Sequence, residues 1–145
     1  QMPSSTVDKP KIQRSNAKNT DMTNAQRYDL EERTAKFAEN VIDLTTKLLN
    51  NPTNRVLISQ IIRSACSIGA NYMEADVAES TRDFLHKISI SRKEAKETHR
   101  WLRLIGHANK DVLAHCETLS KESWELVLIF STIIKNTKRN QQQKK

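Results

Sequence analysis

The chain has 145 residues, with 24 lysines and arginines against 17 aspartates and glutamates and a formal net charge of +7, so its length allows one domain rather than two. Only two glycines and two cysteines occur, which excludes glycine-rich phosphate loops, dinucleotide-binding fingerprints, disulfide scaffolds and zinc ribbons. No apolar run approaches the roughly 20 residues of a membrane span, and no charged-then-apolar leader opens the sequence, so we expect a cytoplasmic protein with no membrane partner.

The positive charge is concentrated at the two ends of the chain. Residues 1–28 carry five basic and two acidic residues, and residues 135–145 carry five basic and no acidic residues. The 106 residues between them, 29–134, carry 14 basic and 15 acidic residues. The central part is therefore close to neutral, and the net charge by itself is weak evidence for a nucleic-acid partner.

Both ends are also poor in apolar residues, with 7 among 39 positions against 46 among 106 in the central part. Too few apolar side chains are present there to offset the entropy of ordering the chain. We therefore predict disordered basic tails over 1–28 and 138–145, on either side of a four-helix domain at 29–137. Because the chain begins with Gln1, we also expect a processed, tagged or partial product, with Met22 as a candidate internal start.

Between the tails the spacing of apolar residues is helical throughout, without the alternation that is typical of a strand. Asn50-Asn51-Pro52 ends the first helix, and Ser80 is an N-cap for the third. The expected limits of the four helices are about Asp29 to Leu49, Thr53 or Asn54 to Ala78, the cap at Ser80 to Gly106, and about Lys110 to Thr137. Four long helices with short connections predict an all-α, antiparallel up-down four-helix bundle.

The second helix carries a wide apolar arc and, opposite it, a row of polar residues. The apolar arc covers about half of the helical wheel and is made of Leu57, Ile58, Ile61, Ile62, Ala65, Cys66, Ile68, Gly69, Tyr72 and Met73. An arc this wide must contact more than one neighbour. The row of polar residues, here the polar ladder, is Gln60, Arg63, Ser67, Asn71 and Glu74. It contains no lysine, which favours a buried structural network over a ligand site or plain solvent exposure.

The third helix divides into three faces. Its core seam, which has small residues at its middle that allow another helix to approach closely, is Phe84, Ile88, Ser91, Ala95, Thr98, Leu102 and Ile105. One flank, here the basic arc, holds six cations without an acidic residue among them: Arg82, Arg92, Lys93, Lys96, Arg100 and Arg103. The other flank mixes acidic and apolar residues and indicates a second contact surface: Asp83, Ile90, Glu94, Glu97 and Trp101.

The polar ladder and the acidic flank suggest a specific pairing. Arg63 is expected to meet Glu94 or Glu97, either within one subunit or across two, and such a pair would fix register more than add stability. The fourth helix supplies a further set of core residues: Leu119, Trp124, Leu126, Val127, Phe130, Ile133 and Ile134.

No motif in the sequence predicts catalysis, a metal site or a cofactor. Carboxylate metal sites in helical bundles recur as Glu-x-x-His, which this chain lacks, and its four histidines share no ligand spacing. Cys116 beside His115 is weak evidence for a nucleophile. Cys66 lies on the apolar arc, where a small buried thiol is expected. We therefore expect a protein that is not an enzyme.

The second and third helices resemble a known family. From Leu57 to Ile105 the sequence reads L-x2-Q-x2-R-S-A-x-S-I-G-A-N-x-x-E-A and then S-x2-D-F-L-x-K-x-S-I-x-x-K-E-A-x-E-T-x-x-W-L-x-L. This resembles the bacterial four-helix-bundle proteins named after intervening sequences in 23S ribosomal RNA genes. The resemblance implies an antiparallel bundle that assembles into a ring, typically a homopentamer, with no established enzymatic activity. The polar ladder, Lys87, Glu94, Glu97 and Trp101 coincide with the family's signature positions.

The same bundle is similar to the accessory protein of diversity-generating retroelements, a basic ring that binds RNA and its reverse transcriptase. That likeness lends function only by analogy. Two hypotheses follow. In the first, the protein binds nucleic acid, with RNA favoured over DNA, through the basic arc and the cationic tails repeated around a homo-oligomer. In the second, it is a scaffold for a protein partner such as a reverse transcriptase, and the basic arc is a solvated face.

Overall fold

The computed structural model of the chain describes residues 24–144, with side chains from Asp29 onward. All regular structure in this range is helical, which confirms the predicted all-α class with four long helices. The helices are α1 (Asn24–Thr45), α2 (Pro52–Asp76), α3 (Thr81–Ala108) and α4 (Leu113–Gln143), with a short 3-10 helix at Lys110–Val112 ahead of α4.

Side-chain caps fix where α2 and α3 begin. The Asn51 side chain accepts a hydrogen bond from the backbone N–H of Asn54 at 2.7 Å, and Pro52 occupies the first turn, where its missing N–H costs nothing. The Ser80 hydroxyl accepts from the N–H of Asp83 at 3.0 Å. Both starts therefore lie within two residues of the expected positions.

The helix limits differ from the sequence expectation at several places. α1 ends at Thr45, four residues before the expected Leu49, and α2 ends at Asp76, two residues before Ala78. α3 continues two residues past Gly106 to Ala108, and the backbone N–H of Asn109 after it donates to the carbonyl oxygen of Ile105 at 2.9 Å. Gly106 does not end the helix and is instead a packing position, where a Cβ would lie 3.0 Å from the Leu113 side chain. α1 begins at Asn24 rather than Asp29, so residues 24–28 of the expected N-terminal tail are helical, and residues 1–23 lie outside the described range.

α4 continues to Gln143, where we expected a disordered basic tail from residue 138. Residues 138–143 are Lys, Arg, Asn and three Gln. Most of these are good helix formers, and no Gly or Pro interrupts them, so the helix extends from its buried part without a break. The cations of this segment consequently have fixed positions on a helix.

α2 and α3 approach each other closely along small residues. Ser64 and Thr98, both fully buried, share a hydrogen bond of 2.8 Å between their hydroxyls. The buried Ser91 hydroxyl donates to the carbonyl oxygen of Ile68 at 2.9 Å. Alanines at 65 and 95 are also buried in this seam. The α2–α3 seam therefore contains three buried hydroxyl groups, and each of them forms a hydrogen bond.

Contacts between α2 and α3 join the two helices in opposite order: the start of α2 lies beside the end of α3, and the end of α2 lies beside the start of α3. The side-chain amides of Asn54 and Asn109 exchange hydrogen bonds of 3.0 and 2.9 Å at one end of the α2–α3 pair. Glu74 and Lys87 form an ion pair of 2.6 Å at the other end.

α1 packs on α2 and α4, and α3 packs on α4. At the centre, the rings of Tyr72 and Phe130 lie 6.4 Å apart.

We predict that the hydrogen bond between the Ser64 and Thr98 hydroxyls stabilises the α2–α3 pair. Thr98→Val keeps the shape but removes the hydroxyl, and we expect it to lower the free energy of unfolding by about 1–2 kcal/mol. Urea unfolding gives the free energy of unfolding of the wild-type protein, of Ser64→Ala, of Thr98→Val and of the double variant, which together form a double-mutant cycle. A double variant that loses less than the sum of the two single variants reports the coupling, whereas strict additivity would contradict it.

Candidate nucleic-acid interface

The basic arc of α3 points away from the other helices. Because the core seam and the acidic flank face the neighbouring helices, the remaining third of α3 is left outward. Arg82, Lys93, Lys96, Arg100 and Arg103 are exposed, and Arg92 is half-buried. Arg92 donates to the Ser131 hydroxyl of α4 at 3.3 Å. Within residues 29–144, none of the six cations forms an ion pair.

Two cations elsewhere on the domain, Arg33 and Lys87, are paired with carboxylates. Arg33 of α1 makes ion pairs of 2.7 Å with Glu122 and 2.6 Å with Glu125 on α4, and these carboxylates raise the pKa of its guanidinium. A hydrogen bond from Lys87 to Glu74 likewise raises the pKa of that lysine. The basic arc therefore differs from these sites in having its charge free for an external anion.

The helical end of α4 extends this positive surface. Ser131 contacts Arg92, and Lys135 and Lys138 follow Ser131 by four and seven residues, which places them on the same side of α4. Both lysines are exposed. The C-terminal part of α4 therefore places Lys135 and Lys138 beside the N-terminal half of the basic arc.

One exposed aromatic residue borders the basic arc. Trp124 of α4 is 44% exposed, and its ring centroid lies 5.4 Å from that of His99 on α3, with an interplanar angle of 52°. The other apolar residues expected in the core of α4 are buried as predicted, so Trp124 is the exception. The helical spacing of apolar residues predicts that it lies in the core, although on a helical wheel it lies at the edge of the apolar arc of α4.

The pairing expected between α2 and the acidic flank of α3 is present within one chain. The Arg63 guanidinium contacts the carboxylate of Glu94 at 3.4 Å and also that of Glu97. Trp101 Nε1 donates to Glu97 at 3.1 Å. Glu94 is only 8% exposed, so Arg63 is the cation that compensates a buried carboxylate.

The rest of the polar ladder does not form one buried network. The Ser67 hydroxyl and the Asn71 amide donate to carbonyl oxygens of α2 itself, at 2.8 and 2.9 Å. Gln60 is half-buried, and Arg63 and Glu74 are exposed. Only the two charged members reach α3, because among residues 24–144 no helix covers the side of α2 on which the ladder lies.

An apolar surface on α1 and α2 is left uncovered. The exposed apolar residues of these helices and their connection, here the α1–α2 apolar face, fall into two groups: Ile42, Leu49 and Val56 around the α1–α2 connection, and Cys66, Met73 and Val77 along one side of α2. The expectation that Cys66 is buried is wrong. The apolar arc of α2 spans about half of the helix, and α1 and α3 together cover less than that, so Cys66 and Met73 face outward.

Cys116, the candidate nucleophile of the sequence, is a buried thiol. Burial raises the pKa of the Cys116 thiol to about 11, so it stays protonated at neutral pH and is a poor nucleophile. The neighbouring His115 lies 3.4 Å from the Lys47 ammonium. Among residues 29–144, no group of three His, Cys, Asp or Glu side chains could hold a metal ion. In the same part of the chain, no helix is long and apolar enough to cross a membrane.

Comparisons with known proteins agree with this architecture. The sequence matches the family described as 23S rRNA-intervening sequence protein over residues 26–132. A similar solved structure is a protein of unknown function from the S23 ribosomal protein family of Bacteroides thetaiotaomicron VPI-5482. It is 35% identical, has a TM-score of 0.67, and the match covers 73% of this chain and 98% of that one. No curated protein matches the sequence.

We predict that Cys116 is inert in the folded protein. In a Cys66→Ser variant, Cys116 is the sole thiol, and its raised pKa leaves almost no thiolate at pH 8. A thiol-specific disulfide reagent should therefore react only after denaturant is added. Rapid reaction of one thiol per chain under native conditions would contradict the burial of this side chain.

Proposed function

Because the chain belongs to the family of 23S rRNA-intervening sequence proteins, we propose that it is a non-catalytic, oligomeric protein that binds RNA through the basic arc of α3. The observation that carries the proposal is the row of six exposed or half-exposed cations without a carboxylate partner in residues 29–144. Cations that face outward without a neutralising group suit the phosphates of a nucleic acid, whose condensed counterions they release on binding.

The dimensions of the basic arc suit a polynucleotide rather than a single phosphate. Arg82 and Arg103 are 21 residues apart on one helix, which is about 30 Å at a rise of 1.5 Å per residue. The Lys135 and Lys138 side chains add positive charge at one end. This row carries no hydrogen-bonding groups arranged to read bases, so we infer backbone recognition with little sequence preference. RNA is favoured over DNA by the family's association with ribosomal RNA genes.

The proposal includes assembly of the chain as a cytoplasmic homo-oligomer, with a pentameric ring of antiparallel up-down bundles as the favoured form. The opposite order of contacts along paired helices supports the up-down arrangement. The α1–α2 apolar face supports self-association, because exposed side chains such as Leu49, Val56 and Met73 gain stability when a second copy covers them. A ring would repeat the basic arc and multiply its effective affinity.

The alternative is an assembly scaffold without direct nucleic-acid binding. The α1–α2 apolar face is the observation that favours it, since a protein partner such as a reverse transcriptase could cover the same side chains. In that case the basic arc is a solvated face or docks an acidic partner.

We predict a steep salt dependence of RNA binding that the basic arc produces. Log affinity for a single-stranded oligoribonucleotide should fall linearly with log salt, with about 0.7 of slope for each phosphate contact. Replacing Arg92, Lys96, Arg100 and Arg103 by Ala should flatten that slope by up to about three. Fluorescence anisotropy at several salt concentrations measures it.

The control removes equal charge from other faces of the domain, where Lys36, Lys47, Arg55 and Lys110 are exposed. Alanine at those four positions should leave the slope nearly unchanged. Equal flattening in both variants would show that net charge alone binds RNA. An unchanged slope in the basic-arc variant, with loss of binding on deleting residues 135–145, would assign binding to the end of the chain.

We also predict that a charge on the α1–α2 apolar face dissociates the oligomer. Met73 and Leu128 are both 53% exposed, on α2 and α4 respectively, and so form a matched pair. Met73→Glu should lower the mass measured by light scattering towards that of one chain, whereas Leu128→Glu should not. A monomeric wild-type protein would contradict the assembly proposal outright.

A further inference from the structure

The edge of the basic arc that faces α4 carries a feature that phosphate binding does not use. Trp124 is 44% exposed and packs on His99 rather than in the core. A tryptophan exposed to this extent on a folded surface leaves a large apolar ring in water, which a ligand with a flat aromatic group can cover.

His99 connects this ring to the cations. Lys96 lies three residues before His99 and Arg103 four residues after it, so both are its neighbours on the surface of α3. Both belong to the basic arc and are exposed. The Trp124–His99 pair therefore lies against the cationic row, within reach of the base of a nucleotide whose phosphate contacts Lys96 or Arg103.

From this arrangement we propose that Trp124, supported by His99, is a stacking platform for an unpaired base of single-stranded RNA. The inference rests on the proposed RNA-binding function and adds the form of RNA that the surface takes. Bases stack on exposed aromatic rings in single-strand-binding proteins, and this contact tolerates any sequence because every base has a π-face. Bases inside a duplex are stacked on each other and would not reach the ring.

The chemistry of the two contacts differs in a way that can be measured. Stacking involves no phosphate, so it contributes to affinity without contributing to the salt slope. Trp124→Leu keeps apolar area at this position and removes the π-face. We expect it to weaken binding of a single-stranded oligouridylate about tenfold at every salt concentration while leaving the slope unchanged. Trp124→Phe should recover most of the lost affinity.

Fluorescence gives a direct readout, because the chain has only two tryptophans. In a Trp101→Phe variant, all tryptophan emission comes from Trp124, and we expect the oligouridylate to quench it in step with binding. In a Trp124→Phe variant, all tryptophan emission comes from Trp101. Its half-buried ring donates to Glu97, and its emission should not change.

A ligand control separates bases from phosphates. An abasic oligomer of the same length presents phosphates alone, so the wild-type protein and the Trp124→Leu variant should bind it equally. Duplex RNA should likewise bind both proteins with equal affinity.

Three outcomes would overturn the inference. If Trp124→Leu binds oligouridylate as tightly as the wild-type protein while the four-alanine variant of the basic arc still flattens the slope, RNA binding stands and stacking is wrong. If no RNA binds at all, both proposals fail. If Trp124 emission changes with protein concentration but not with RNA, the ring belongs to a contact between copies of the chain.

Discussion

The close packing of α2 on α3 is the constraint from which the rest of the surface follows. Small residues in the seam let the two helices approach, and the hydroxyls of Ser64, Ser91 and Thr98 are satisfied across or within it. Outside the seam, Arg63 holds Glu94 and Glu97 in place. These contacts fix the rotation of α3, so its remaining third, which carries the basic arc, faces away from α2.

The orientation of α3 determines where the unpaired positive charge lies on the surface of the domain. The central residues 29–134 are close to neutral, and Arg33, Arg63 and Lys87 each contact carboxylates. The basic arc is therefore a local excess of positive charge on a neutral domain rather than a sample of a uniformly basic surface. α4 strengthens this excess, because its helix continues to Gln143 and holds Lys135 and Lys138 beside the arc.

Much of this could be predicted from the sequence. Caps at Asn51 and Ser80 and the apolar spacing located α2 and α3 to within about two residues, and the signs of the charges identified Arg63 with Glu94 and Glu97. A helical wheel shows which residues share a face, but it does not show how much of that face neighbouring helices cover. Cys66 and Trp124 were misplaced for this reason, since both lie at the edge of an apolar arc. The length of α4 was misjudged because polar composition predicts solvent exposure, and an exposed segment can still continue a helix.

The central claim is that RNA binds to the face formed by α3 and α4, including Lys135 and Lys138, and not to residues 1–23 or to the domain surface in general. Crosslinking of the full chain to a 4-thiouridine-containing oligoribonucleotide, followed by mass spectrometry of the peptides, tests it most directly. We expect crosslinked peptides from Arg92 to Arg103 of α3 and from the part of α4 that contains Trp124. Crosslinks confined to residues 1–23, or spread evenly over all four helices, would contradict the account.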